Sequence, residues 1–209
     1  MRNIRTQVAR ATASVAGAIV LLAAGAVTAP VQAQAAPLGR VCMINSVDGA
    51  QTFGHIGWAF KVRGDRDHWI YGATEASGSL TIDPGPNTNS SWIKGSSWSK
   101  MLGYFRGLKV KQGDHWVQEY SHWRCEDTRD GDVGKAQEAY RHERDNGYNV
   151  ADNNCLTKSL KILKGYSTIL ARDPRLPIPP LYRHPSWNAP NNYFREGLDQ
   201  ANWEGIQRL

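Results

Sequence analysis

The sequence predicts an α+β domain in which an antiparallel sheet packs against one cysteine-bearing helix. Three observations predict it. Residues 53–62, F-G-H-I-G-W-A-F-K-V, alternate apolar and small or polar positions, the period of a half-buried strand. A short polar loop and a second strand-like run, H-W-I-Y-G-A-T-E, follow at once, which is the pattern of a hairpin. Later, Asn153-Asn154-Cys155 opens a run in which Leu156, Leu160 and Leu163 recur at helical spacing.

Residues 1–35 stand apart from the fold. Arg2, Arg5 and Arg10 precede an Ala/Val/Leu/Ile run over 15–28, and Ala33-Gln34-Ala35 is a small-x-small cleavage site; a cut after Ala33 is the alternative. This is the pattern of a secretory signal peptide, because the apolar run falls short of the roughly 20 residues of a membrane span. No second long apolar run follows, so a secreted protein without a membrane span is expected, with residues 36–209 as one domain. The net charge is +6, and the three arginines before residue 35, where no acid occurs, leave +3 on the exported chain. That suits an anionic cell surface, and without a dense Lys/Arg stripe it does not argue for nucleic acid. The eight tryptophans are read mainly as core and edge packing.

Taking the chain in order, 39–47 is a first strand and 53–62 the second. Ile56, Trp58, Phe60 and Val62 share one face of that second strand. His55, Gly57 and Ala59 share the other, where two small residues imply a close neighbour. If 63–67 is a five-residue loop between Val62 and His68, His55 lies opposite Glu75 with Cβ atoms about 4.5–5.5 Å apart. A slip of one residue puts Thr74 there instead. Residues 77–94 are rich in Gly, Pro, Asn and Ser and are expected as a surface loop. Ser97 is placed as the cap of a short helix, 115–124 as a strand, and Asp132 as the cap of a helix over 133–145. Asn154 then caps the cysteine helix. Thr157, Lys158, Lys161 and Lys164 are read as its outer face, and Gly165 as its stop. The proline-rich segment at about 172–190 is expected to be extended, and 191–203 to form a terminal helix.

Three cysteines, Cys42, Cys125 and Cys155, lie in the exported part. In an oxidising compartment two should pair. Cys42 and Cys125 sit in strand-like stretches and are paired here, which leaves Cys155 free at a helix N-terminus, where partial positive charge favours thiolate.

A thiol nucleophile needs a base and a group that orients the base. The sequence F-G-H-I-G-W-A-F, then W-I-Y-G-A-T-E, then N-N-C before a helix resembles the circularly permuted papain-like cysteine hydrolases. These include lecithin:retinol acyltransferase-like proteins and permuted relatives of NlpC-type cell-wall peptidases. The resemblance implies a permuted papain-like core, Cys155 as nucleophile and His55 as base. Glu75 or Thr74 stands at the third position, where the acyltransferase-like members have histidine. After Cys155 this chain has L-T-K rather than an E-H-F type sequence, and everything after Tyr166 lies outside the resemblance. An oxyanion donor is expected from the Cys155 N–H, with Asn153 or Asn154 as a second donor or as a plain cap.

The expected activity is hydrolysis of an amide or ester as an amidase or peptidase, acting as a monomer on a peptide or small amide or ester, with cell-wall peptide as the substrate the resemblance implies. A non-enzymatic secreted binding protein on the same scaffold, and a lipid or small-amide acyl hydrolase, are the alternatives. No cofactor or metal is expected. His115, His122 and Cys125 do not have zinc-finger spacing, and Asp127, Asp130 and Asp132 lack a calcium-loop frame.

Overall fold

The structure, a computed structural model, describes residues 39–50, 52–75 and 91–209. The signal segment and most of the expected loop after Glu75 lie outside the described residues. Six strands pair into one antiparallel sheet, in the order β4-β3-β2-β1-β7-β8. Its strands are β1 (Gly39–Ser46), β2 (His55–Lys61), β3 (Trp69–Ala73), β4 (Trp92–Ser96), β7 (His122–Thr128) and β8 (Gln207–Arg208), while β5 (Lys109–Gln112) and β6 (His115–Gln118) form a separate hairpin. The helices are α1 (Trp98–Gly107), α2 (Val133–Asp145), α3 (Cys155–Tyr166) and the short α4 (Thr168–Arg172). The fold is therefore α+β, and the described residues form one unit.

The sheet is covered on both faces, which makes three layers. Val41, Met43, Ile56, Trp58 and Phe60 pack with Tyr140 of α2 and Leu156, Leu160 and Leu163 of α3. Cys42, Ile44, Ala59 and Tyr71 face the opposite way, onto Met101 and Phe105 of α1 and onto Tyr120. The neighbour that the small residues of β2 imply is Phe105: a Cβ on Gly57 would lie 2.8 Å from its ring. The hairpin register is the one that a five-residue loop dictates, with Gly57 opposite Ala73 and Lys61 opposite Trp69. Cys42 and Cys125 are register partners on β1 and β7 and form the disulfide, leaving Cys155 free and buried. Disulfides form in oxidising compartments. Among the described residues no helix is long and apolar enough to cross a membrane.

Several elements differ from expectation. The end of the expected loop is β4, recruited because β3 offers it an unpaired edge. The helix over 98–107 starts where Asp67, from the hairpin loop, accepts the Trp98 N–H at 2.9 Å; Ser97 makes no side-chain cap bond. The single strand expected over 115–124 breaks at buried Tyr120 into β6 and β7. The α3 helix has no polar outer face in its first half. Thr157 and Lys158 are fully buried, because α2 covers that side. The Lys158 ammonium donates to the Glu143 carbonyl and the Asn146 side chain, and burial pulls its pKa down to about 8. Gly165 does not stop the helix, which ends at Tyr166. An added Cβ would lie 3.0 Å from Ala139 Cβ, so the glycine permits close approach of α2. Past the proline-rich segment, 190–201 is a helical stretch with a π turn over Tyr193–Gly197, and Gln207–Arg208 returns as a strand against β7. Five acceptors from Phe194 to Glu204 converge on the buried Arg124 guanidinium and fix this C-terminal region.

Candidate active site

The site forms where the N-terminus of α3 meets the first residue of β2. His55 opens β2 directly after Gly54, whose φ of +94° is a left-handed conformation that favours glycine. Asn191 clasps this approach from the C-terminal region. Its side chain donates to the carbonyls of Val47 and Thr52, each at 2.8 Å, and its backbone N–H donates to the Phe53 carbonyl at 3.0 Å.

The register carries Glu75 to His55. Glu75 Oε1 lies 3.4 Å from His55 Nε2, an ion-pair distance longer than a good hydrogen bond. The same oxygen accepts from Trp92 Nε1 at 3.2 Å and from Tyr120 Oη at 3.5 Å. Burial pushes the Glu75 carboxyl up, but His55, then Trp92 and Tyr120, pull it below its ordinary value. Thr74 is fully buried and its hydroxyl has no hydrogen-bond partner among the described residues.

Cys155 is the first residue of α3. Asn154 is its N-cap: the side-chain oxygen accepts the N–H groups of Leu156 and Thr157 at 3.0 and 3.1 Å, while its Nδ2 donates to the Val150 carbonyl at 2.9 Å. The Asn153 amide donates to the Asn146 and Gly147 carbonyls at the end of α2. Asn153 is thus engaged with the end of α2, and Asn154 serves as the cap with one of its two amide N–H groups on Val150. The Cys155 N–H donates to Tyr148 Oη at 3.2 Å.

The electrostatics of Cys155 and His55 are reciprocal. Burial pushes the thiol pKa up, but the charge and hydrogen bond of His55, the Ile56 N–H and the Tyr148 hydroxyl bring it below its ordinary value. Burial alone would leave His55 neutral. Cys155 first and Glu75 second outweigh it and raise the imidazole pKa well above its usual range. A thiolate–imidazolium pair is the form this environment favours, and such a thiolate is the nucleophilic form of cysteine.

His55, Glu75 and Cys155, singled out in the sequence, come together. Tyr148, Trp92, Tyr120 and the Ile56 N–H were not singled out. Tyr148 lies seven residues before the cysteine in an irregular stretch, and only the folded loop shows its role. Glu119 also reaches this corner: its carboxylate, that of Glu75 and a His55 nitrogen have ligand atoms within 4.8 Å of one another. That set suits a divalent cation only when the imidazole is neutral, because a protonated nitrogen cannot ligate.

A cavity of about 600 Å³ adjoins Cys155, with Tyr148 and Asn154 in its wall. Residues of the proline-rich segment and the following turn, Pro185 to Asn192, form its far side. No protein-family model, curated protein or solved structure matches the chain.

Proposed function

We propose that the protein is a secreted cysteine hydrolase on a permuted papain-like core, cleaving amide or ester bonds through a Cys155 thioester. The observation that carries this reading is the imidazole of His55 set between Glu75 and Cys155, with thiolate and imidazolium each favoured by the other.

The chemistry follows. The thiolate attacks the substrate carbonyl carbon, forming the S–C bond and placing negative charge on the carbonyl oxygen. The Cys155 N–H is positioned to stabilise that charge once the oxygen takes the place of Tyr148 Oη. Collapse breaks the C–N or C–O bond, and the leaving group takes its proton from the His55 imidazolium. Neutral His55 then accepts a proton from water as the water attacks the thioester. The acid product departs, sulfur leaves as thiolate, and the ion pair is restored. Glu75 orients the ring and stabilises its charged form. The predicted export segment and the disulfide support an extracellular site of action, and the family resemblance supports peptides of the cell wall as substrate.

The test is iodoacetamide labelling of Cys155 from pH 5 to 9, with His55→Ala alongside. Rapid labelling near pH 6 that collapses in the variant is expected. Labelling that rises only around pH 8.5, the ordinary cysteine range, and is indifferent to the substitution would refute the dyad and favour a binding protein.

A further inference from the structure

We propose that the cavity beside Cys155 is the acyl-group subsite and that it takes an uncharged, apolar acyl group. This rests on the assignment of Cys155 as nucleophile and His55 as proton donor. Its volume of about 600 Å³ falls within the range of small-molecule sites. Cys155 lines it, whereas His55 and Glu75 do not. That asymmetry decides which part of the substrate belongs there. The leaving group must reach the His55 proton, so it departs on the histidine side. The acyl group stays bonded to sulfur after the leaving group has gone, and it occupies the side where the cavity opens.

The lining decides the chemistry. No Asp, Glu, Lys, Arg or His contributes to it among the described residues. Its asparagines each have a structural bond, Asn154 Oδ1 capping α3, Asn188 Oδ1 accepting the Leu181 N–H and Asn192 Nδ2 donating to the Ser186 carbonyl, so the polar groups left to the cavity are few and uncharged. Pro185 and Pro190 present apolar rings and no N–H. Phe53 and Val150 line the same cavity yet are 61% and 42% exposed. An apolar acyl group removes their surface from water. A charged group would lose hydration there with no opposite charge to meet. The wall is preformed, since Asn191 ties the residues before Gly54 to the C-terminal region, and preorganisation lowers the cost of binding.

The experiment compares three alkylating probes on the full exported chain: N-butyl iodoacetamide, iodoacetate, and an N-(2-ammonioethyl) iodoacetamide. In each the thiolate forms the S–C bond and iodide leaves with the bonding pair, so the substituent sits where an acyl group would. Rates at Cys155 are divided by those with free cysteine. The butyl probe is expected to exceed both charged probes by about tenfold or more, with a rate that saturates in probe. Val150→Asp, at an exposed position, should shift the preference to the cationic probe. An N-dodecyl probe faster than butyl assigns a fatty acyl group, and a slower one a short apolar residue. Equal normalised rates at a reactive Cys155, unchanged in Val150→Asp, would overturn the subsite while leaving the dyad standing. Uniformly slow labelling by every probe would overturn the nucleophile assignment and the subsite with it.

Discussion

The Tyr148 hydroxyl oxygen accepts the Cys155 backbone N–H at 3.2 Å, and beside His55 and the Ile56 N–H the same hydroxyl helps to hold the Cys155 thiol below its ordinary pKa. One residue of an irregular loop thereby adds to the ionisation of the sulfur, which His55 dominates, and occupies a backbone donor beside it.

Tyr148→Phe is therefore expected to separate two observables. Loss of one hydrogen bond to the thiolate should move the pH midpoint of Cys155 labelling upward by about one unit or less. Because the substitution frees the Cys155 N–H for the substrate oxygen, turnover of an ester substrate above the shifted midpoint should stay within about tenfold of the parent. A labelling midpoint that does not move would mean that the hydroxyl serves only the backbone of α3.

Glu75 and Thr74 should part company. Glu75→Gln keeps the shape of the side chain but removes the charge that holds His55 protonated, and activity should drop about 10- to 100-fold with a lowered His55 pKa. Thr74→Val replaces a buried hydroxyl without a partner by a methyl group, so activity should persist and thermal stability should rise by about 1 kcal/mol. Rate profiles and melting curves of the two variants decide the point.

Glu126 on β7 gives a pH dependence unrelated to the site. Burial, then the charges of Asp173 and Asp127, raise its pKa to about 7 against the opposing pull of Arg175. Because the folded value lies above the ordinary 4.5, the unfolded chain releases this proton first. Stability is then lost as pH rises from 4.5 toward 7, and the penalty is fully present above that. The side chain is partly exposed, which screens these charges, so Glu126→Gln should stabilise the protein at pH 8 by on the order of 1 kcal/mol and by nothing at pH 4. Equal gains at both pH values would show that ionisation is not the cause.

The disulfide closes most of the sheet into one loop, with a separation of 83 residues. Replacing Cys42 and Cys125 by alanine should cost up to about 4.5 kcal/mol in the chain-entropy description. Because the pair lies on the face away from α3, the pH profile of Cys155 labelling should be unaltered in protein that still folds. Denaturant unfolding measures the first effect and labelling the second.

The parts of this molecule legible in the sequence were those decided by local rules. A five-residue loop fixed the pairing that brings Glu75 to His55. Asp132 and Asn154 marked two helix starts through their cap bonds. What sequence periodicity misplaced was settled by packing between distant elements. Lys158 sits inside because α2 covers α3 and supplies its acceptors, and Gly165 is a contact residue because Ala139 needs the room. The strand at 92–96 depends on a free sheet edge. The wall of the cavity depends on Asn191 and Arg124, whose partners lie far away in the chain.

Arg124 and Asn191 give the chain a division of labour. The nucleophile and the groups that tune it all come from residues 55 to 155, whereas the far wall of the cavity comes from residues 185–192. Selectivity and reactivity are thus encoded in different stretches, and a loop graft over 185–190 could change what is accepted without altering how the sulfur is activated. Deletion would not serve the same end. Tyr193, Phe194 and Leu198 belong to the same core as Leu156 and Leu160, so the segment that shapes the cavity is anchored by residues the whole domain needs to fold.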